Sequence, residues 1–187
     1  MNTKSLLINT ATILFQQKGY KSVGLNEILK ACNVTKGALY HHFPDGKEEL
    51  LITCLYHLNE AITTDIEAIF SRYLSAKDAI IAMIDKLIHD FKKNGTFIGY
   101  TFSSIFSEMA TISEPARTAC SVLYENIQRF YYEKLIAEDY SKELASSIAL
   151  LLTASIEGAM MLCLTQNSTT PLKTVATLLP SILKMNK

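Results

Sequence analysis

The sequence predicts an all-α protein of about nine helices, and three observations carry that prediction. Apolar side chains recur at three- and four-residue spacing through most of the 187 residues, the repeat of helices that bury one face. No strand-like alternation of useful length interrupts them. Gly and Pro together number 11, about half the roughly 12% of average usage, which disfavours a turn-rich β-sandwich, a collagen-like chain and disorder.

Leu7, Ile8, Ala11, Leu14 and Phe15 set a first helix over about residues 3–18, with Lys18 in its last turn and Gly19 placed to stop it. A second, short helix is predicted from Leu25 to Cys32, its inner face made by Leu25, Ile28, Leu29 and Cys32. Asn33 stands where the chain must turn, since Asn tolerates positive φ better than most residues. The Thr35 hydroxyl can then cap a third helix, Lys36 to His42. Two short helices across a three-residue turn make a helix-turn-helix signature. Asp45 reads as the N-cap of a fourth helix, with Glu48 three residues on and Leu50, Leu51 and Ile52 behind it, reaching about Arg72. Further helices are predicted at about 76–93, 99–111, 114–138, 141–166 and 171–185. In the last, Thr170 is the expected cap and Pro171 takes first position, where a missing N–H costs nothing, while Pro180 should kink or break it.

Charge divides the chain into a head, residues 1–47, and a body, residues 48–187. With 18 Lys+Arg against 18 Asp+Glu the total is zero, which would argue against a polyanionic partner if the charge were evenly spread. Instead the head holds six Lys and two acids, a net of +4, and the body 12 Lys+Arg and 16 acids, a net of −4. Cys32, Cys54, Cys120 and Cys163 are isolated, without His at ligand spacing, and read as small buried hydrophobes in a reducing compartment. No metal or cofactor is expected. Asn9, Thr10 and Thr12 interrupt the first apolar stretch, so it does not read as a signal peptide, and a cytoplasmic protein is expected. The 17 residues from Ile148 to Leu164 reach the lower limit of a membrane span, but Glu157 at their middle, with Thr153 and Ser155 nearby, favours a buried helix.

The third helix carries the chemistry. Lys36, Gly37, Tyr40 and His41 share one face, while Leu39 and Phe43 point the other way as core anchors. Gly37 and Ala38 lack bulk, so backbone there can approach another surface closely, and the first-turn amides suit a phosphate. A glycine inside so short a helix costs about 1 kcal/mol relative to alanine, which argues that it is kept for close approach rather than merely loosening a solvated helix.

The residues Leu7-Ile8-x-x-Ala11, Leu14-Phe15, Gly19-Tyr20, Ile28-Leu29, Val34 to Phe43 and Lys47-Glu48-x-Leu50 closely resemble the DNA-binding head of TetR-family repressors over about a quarter of the chain. An additional residue in Pro44-Asp45-Gly46, and Gly24-Leu25-Asn26 where Thr-Val is usual, are similar to the YxaF/LmrA-type subgroup. The resemblance implies that Thr35, Lys36, Gly37 and Ala38 enter the major groove of double-stranded DNA, with Lys36 able to read guanine and Ala38 to touch a thymine methyl. It also implies that Tyr40, His41, Lys47 and the start of the second helix at Leu25 and Asn26 hold phosphates. Lys4 either tracks the backbone or is a solvated end. His42 reads as a packed, hydrogen-bonded side chain.

Thirteen of the 17 aromatic residues follow residue 50. In the resembling proteins the body encloses a ligand cavity, which implies that Phe97, Tyr100, Phe102, Phe106, Met109 and Tyr124 can line it; ordinary core packing is the alternative for each. Apolar walls with a few hydroxyls suit an apolar, aromatic or amphipathic small molecule. Glu108 could orient a polar or cationic ligand group, with a helix-surface carboxylate as the favoured reading. The helix over 141–166 is apolar nearly all round and must be buried on several sides. With the last helix it resembles the paired helices of a two-fold dimer interface, which implies that Leu151, Ser155, Ala159, Leu162, Leu178, Leu179 and Ile182 meet a second copy.

The function expected from all this is a homodimeric repressor that binds a pseudo-palindromic operator and is released by a small-molecule inducer. The alternative is a helical small-molecule carrier without DNA binding. An enzyme is not expected: there is no G-x-S-x-G elbow, Walker loop, H-E-x-x-H or G-x-G-x-x-G, and His57 and His89 lack any obvious partner in sequence.

Overall fold

A computed structural model of the chain describes residues 2–97 and 113–184, and among these it is helical with short connections and no strand. Eight helices follow in order: α1 (Thr3–Lys18), α2 (Leu25–Cys32), α3 (Lys36–His42), α4 (Lys47–Phe70), α5 (Ala76–Asn94), α6 (Glu114–Ile136), α7 (Lys142–Gln166) and α8 (Thr170–Lys184). The helix expected over 99–111 lies outside the described residues. Two compact units result, one of residues 2–61 and 113–122, the other of residues 62–97 and 123–184 among those described.

In the first unit α1 packs on α2 and α3, and α2 on α3. Leu7, Ala11 and Phe15 from α1 meet Ile28, Leu29 and Cys32 from α2 and Leu39 from α3, all buried, with Phe43 sealing the end of α3. Each large side chain contributes about 1.5–3 kcal/mol by leaving water. Caps fix the bounds: Asn2 Oδ1 accepts from the Ser5 amide at 2.8 Å, and Gly19, at φ 79, returns its N–H to Phe15 O.

Helix α4 starts one residue later than the spacing predicts. Gly46 takes φ 71 and its N–H closes a turn onto Phe43 O at 2.9 Å, so that Leu50 N–H reaches Gly46 O at 3.1 Å. The carboxylate that folds back is Glu49, whose Oε2 accepts from the Asp45 amide at 3.0 Å, rather than Glu48. The additional residue before α4 occupies this turn and shifts the capping frame.

In the second unit α8 packs on α5 and α7. Ser75 caps α5 by accepting from the Asp78 amide at 3.0 Å, and Gly95 ends it at φ 69. Ser141 caps α7 and Asn167 ends it in the left-handed region. The α8 N-terminus also differs from expectation: the helix begins at Thr170, and Ser168 Oγ accepts from its amide at 3.2 Å, so Ser168 takes the capping part assigned to Thr170. Pro180 stays inside α8 without breaking it. By length and hydropathy α7 would suffice to cross a membrane. Here one of its faces, through Ile148, Leu152, Ile156 and Met160, belongs to the core.

Candidate DNA-binding surface and ligand cavity

The recognition face is built by anchoring the opposite face of α3. Leu39 and Phe43 are 0% and 1% exposed, so Lys36, Gly37, Tyr40 and His41 are held outward, and all four are exposed. Asn33 makes the turn at φ 52, and Thr35 Oγ1 accepts from the Ala38 amide at 3.2 Å. A seven-residue helix would not persist alone. The cap and the two anchors fix its register, and with it the direction in which the outer side chains point.

The surroundings of each outer residue differ. The Lys36 ammonium lies 5.7 Å from the Tyr40 ring centroid, and a Cβ added at Gly46 would lie 3.4 Å from that ring. Tyr40 is thus seated on the glycine that starts α4. Gly37 is open: an added Cβ would meet only Thr35 Oγ1, at 3.9 Å. Ala38 is half-buried behind it. The rings of His41 and His42 meet edge-on at 5.0 Å, and His42 also meets Phe43 at 6.5 Å, which places His42 on the inner side of the pair.

At the start of α2, Gly24 offers no side-chain cap, and Asn26 is exposed while Leu25 is half-buried. Lys4 is exposed, its ammonium 5.8 Å from the Phe43 ring. Lys47 is engaged within the head: Nζ donates to Tyr20 O at 2.5 Å and stands 4.0 Å from the Tyr20 ring. Lys18 pairs with Glu27 at 2.5 Å, an interaction that lowers the Glu27 carboxyl. The cysteines of this unit are core residues. Cys54 donates to Ile8 O at 3.5 Å, and burial pushes its thiol up to about 12, far from a reactive thiolate.

The second unit contains a small, partly open space of about 20 Å³, close to the room needed by one water. Met83 and Leu87 of α5, Ile127 and Tyr131 of α6, and Met160 of α7 form its apolar walls. Thr153 and Glu157 supply polar atoms from α7. Tyr131 donates to Met83 Sδ at 3.5 Å, and Thr153 Oγ1 to Ala149 O at 2.9 Å. Burial raises the Glu157 carboxyl to about 7, opposed by a hydrogen bond from Tyr124.

The residues expected to line a ligand cavity fall differently with respect to this space. Phe97 is 0% exposed and stacks on Phe91 at 5.0 Å between ring centroids, so it is core and does not line the space. Tyr124 reaches it through Glu157. Tyr100, Phe102, Phe106, Met109 and Glu108 lie outside the described residues. The apolar residues that line this space, Met83, Leu87, Ile127, Tyr131, Ile156 and Met160, share the helical spacing of ordinary core and carry no separate signal in sequence. Glu157 had one: it is the only charged residue between Glu143 and Lys173.

The dimer-face expectation divides too. Leu151, Leu162 and Leu178 are 48%, 48% and 53% exposed, joined by Leu150 and Met161, while Ser155 and Ile182 are half-buried. Ala159 and Leu179 are 4% and 0% exposed. Those two are already covered within the chain, in the unit where α8 packs on α5 and α7.

A capped helix-turn-helix in a basic three-helix head, continued by a helical body, defines a DNA-binding transcriptional regulator. Residues 7–54 match the model of bacterial regulatory proteins of the tetR family, and residues 76–178 match the C-terminal domain of LmrA/YxaF-like transcriptional regulators. The HTH-type transcriptional regulators YxaF and LmrA of Bacillus subtilis are each 32% identical to this chain across 98% of it, covering 96% and 97% of their own lengths. Reduced NemR of Escherichia coli superposes with a TM-score of 0.85 at 22% identity, covering 97% of both chains. The chain belongs to the TetR family, with a body of the LmrA/YxaF-like type. It is a transcriptional regulator with a DNA-binding helix-turn-helix, and not an enzyme.

Proposed function

We propose that this regulator is a homodimeric, cytoplasmic repressor that binds a pseudo-palindromic operator and is released by a small apolar or aromatic molecule. The observation that carries the reading is the exposed Lys36/Tyr40/His41 face, with an unobstructed Gly37, held outward by buried Leu39 and Phe43. Thr35, Lys36, Gly37 and Ala38 enter the major groove. Tyr40, His41, Lys4, Lys47 and the start of α2 at Leu25 and Asn26 hold the backbone on either side. Residues 1–47 form the DNA-binding domain and residues 48–187 the ligand-binding and dimerisation domain.

Dimerisation is supported by Leu150, Leu151, Met161 and Leu162 of α7 and Leu178 of α8, exposed apolar side chains that a second copy can cover. Two heads are needed because one contacts few base pairs, and a two-fold pair roughly squares the discrimination. Release requires a ligand that binds better to a body conformation whose heads no longer match both half-sites; equal affinity for the two states would shift nothing.

Titrating the protein into its own upstream DNA, with and without candidate molecules, tests the reading. A two-fold footprint over an inverted repeat, lost on adding a molecule that also raises the protein's melting temperature, is expected. A thermal stabiliser that leaves DNA bound, or no affinity above that for unrelated DNA, contradicts it.

A further inference from the structure

Among the described residues, three helices of the second unit bring a single charged group, the half-buried Glu157, to this small space. Thr153, Ile156, Glu157 and Met160 share one face of α7 by three- and four-residue spacing, and all four line the space. The other walls are Met83 and Leu87 of α5 and Ile127 and Tyr131 of α6. Among the described residues, no Lys, Arg or His lines the space. The hydroxyls are committed as donors, Thr153 to the Ala149 carbonyl and Tyr131 to the Met83 sulfur. What the walls offer a guest is therefore an acceptor that can carry negative charge, the Glu157 carboxylate, steadied by Tyr124.

We propose that the ligand of this space carries a basic nitrogen on an apolar or aromatic body, and that Glu157 holds that nitrogen as an ammonium. The proposal rests on the reading of this unit as the ligand-binding domain and names its ligand class. An anionic guest would meet like charge with no cation among the described lining residues to offset it, and a neutral guest would give the Glu157 carboxylate no counter-charge. A cation supplies the charge that the apolar walls deny the carboxylate. The space is too small for such a molecule as it stands, at about 20 Å³. Its walls are suited to opening: Met83 and Met160 are unbranched and adaptable, and the Tyr131 contact with sulfur is a weak hydrogen bond that ligand entry can break.

The chain contains no Trp, so a naphthyl probe can be followed by its own fluorescence. The experiment titrates the full-length protein, as wild type and as Glu157→Gln, with 4-(1-naphthyl)butylamine and with 4-(1-naphthyl)butan-1-ol, one skeleton with and without the charge. Wild type should bind the amine at least tenfold more tightly than the alcohol. Glu157→Gln should lose that preference while keeping its affinity for the alcohol, which also shows that the variant is folded. Equal affinity of wild type for the two probes, a preference that survives in Glu157→Gln, or binding of neither probe overturns the proposal. Release of the upstream DNA is read separately. Release by the alcohol, with no amine preference, removes the cation site and leaves the ligand-responsive regulator standing. A Glu157-dependent amine preference without DNA release keeps the cation site and removes the inducer role.

Discussion

Gly37 separates two demands on one position. Within the chain nothing blocks a methyl there, since an added Cβ would touch only Thr35 Oγ1 at 3.9 Å. Gly37→Ala should therefore stabilise α3 by about 0.5–1 kcal/mol while weakening DNA binding, measured by melting temperature and operator titration; undiminished affinity would remove close approach as the reason for the glycine. Lys47 poses the opposite question, because its ammonium already sits on the Tyr20 carbonyl at 2.5 Å. If it also holds a phosphate, Lys47→Ala lowers the slope of log affinity against log salt by about one unit. An unchanged slope with a lower melting temperature would assign Lys47 to tying α4 to the turn before α2. Motif spacing identified Lys47 but not its internal acceptor, since a main-chain carbonyl 27 residues away leaves no mark in sequence.

Glu157 also has a pH signature. Its carboxyl is raised from 4.5 to about 7, chiefly by burial, so the native state binds this proton more tightly than the unfolded chain does. The associated stability is complete below the unfolded pKa and is lost as pH rises from about 4.5 through 7. The shift corresponds to at most about 3 kcal/mol. Glu157→Gln stays neutral, so its stability relative to wild type should increase from pH 5 to pH 8 in chemical denaturation. A constant difference across that range would mean that the carboxyl ionises as if in water.

At the scale of elements, periodicity and caps located the helices well where a turn-forming or capping residue marks an end: Gly19, Asn33 and Thr35 all stand at observed termini. The misplacements have a common physical origin. At α4 and α8 several candidate caps lie within a few residues, and the turn geometry, set by Gly46 and by Ser168, selects among them. Faces were harder than bounds. An apolar helix such as α7 shows in sequence that it is covered on several sides, but not which side chains its own chain covers; Ala159 is 4% exposed while Leu151 and Leu162 are each 48% exposed. The cap of α3 has a direct test. Thr35→Ala should cost about 1 kcal/mol of stability in thermal unfolding, and Thr35→Asn, which can cap equally well, should restore it; no loss in the alanine variant would show that Leu39 and Phe43 alone fix the helix.

For the whole molecule, charge and exposed apolar surface point in the same direction. The zero net charge conceals +4 on residues 1–47 and −4 on the remainder, so the head is attracted to phosphates while the body is repelled from them. Among the described residues, α7 and α8 gather five of the large exposed apolar side chains, Leu150, Leu151, Met161, Leu162 and Leu178, and pairing there would join two heads for one operator. Leu162→Glu should convert a dimer to a monomer in sedimentation and weaken operator binding without altering the head; an unchanged sedimentation profile would place the interface elsewhere. The claim on which the rest depends is that α3 reads DNA through its outward face. Affinities of wild type and Lys36→Ala for the upstream operator and its single-base variants measure this most directly. Lys36→Ala should lose about 1–3 kcal/mol of discrimination at one base position in each half-site and retain it elsewhere. An equal loss at every position, or none, would contradict the account.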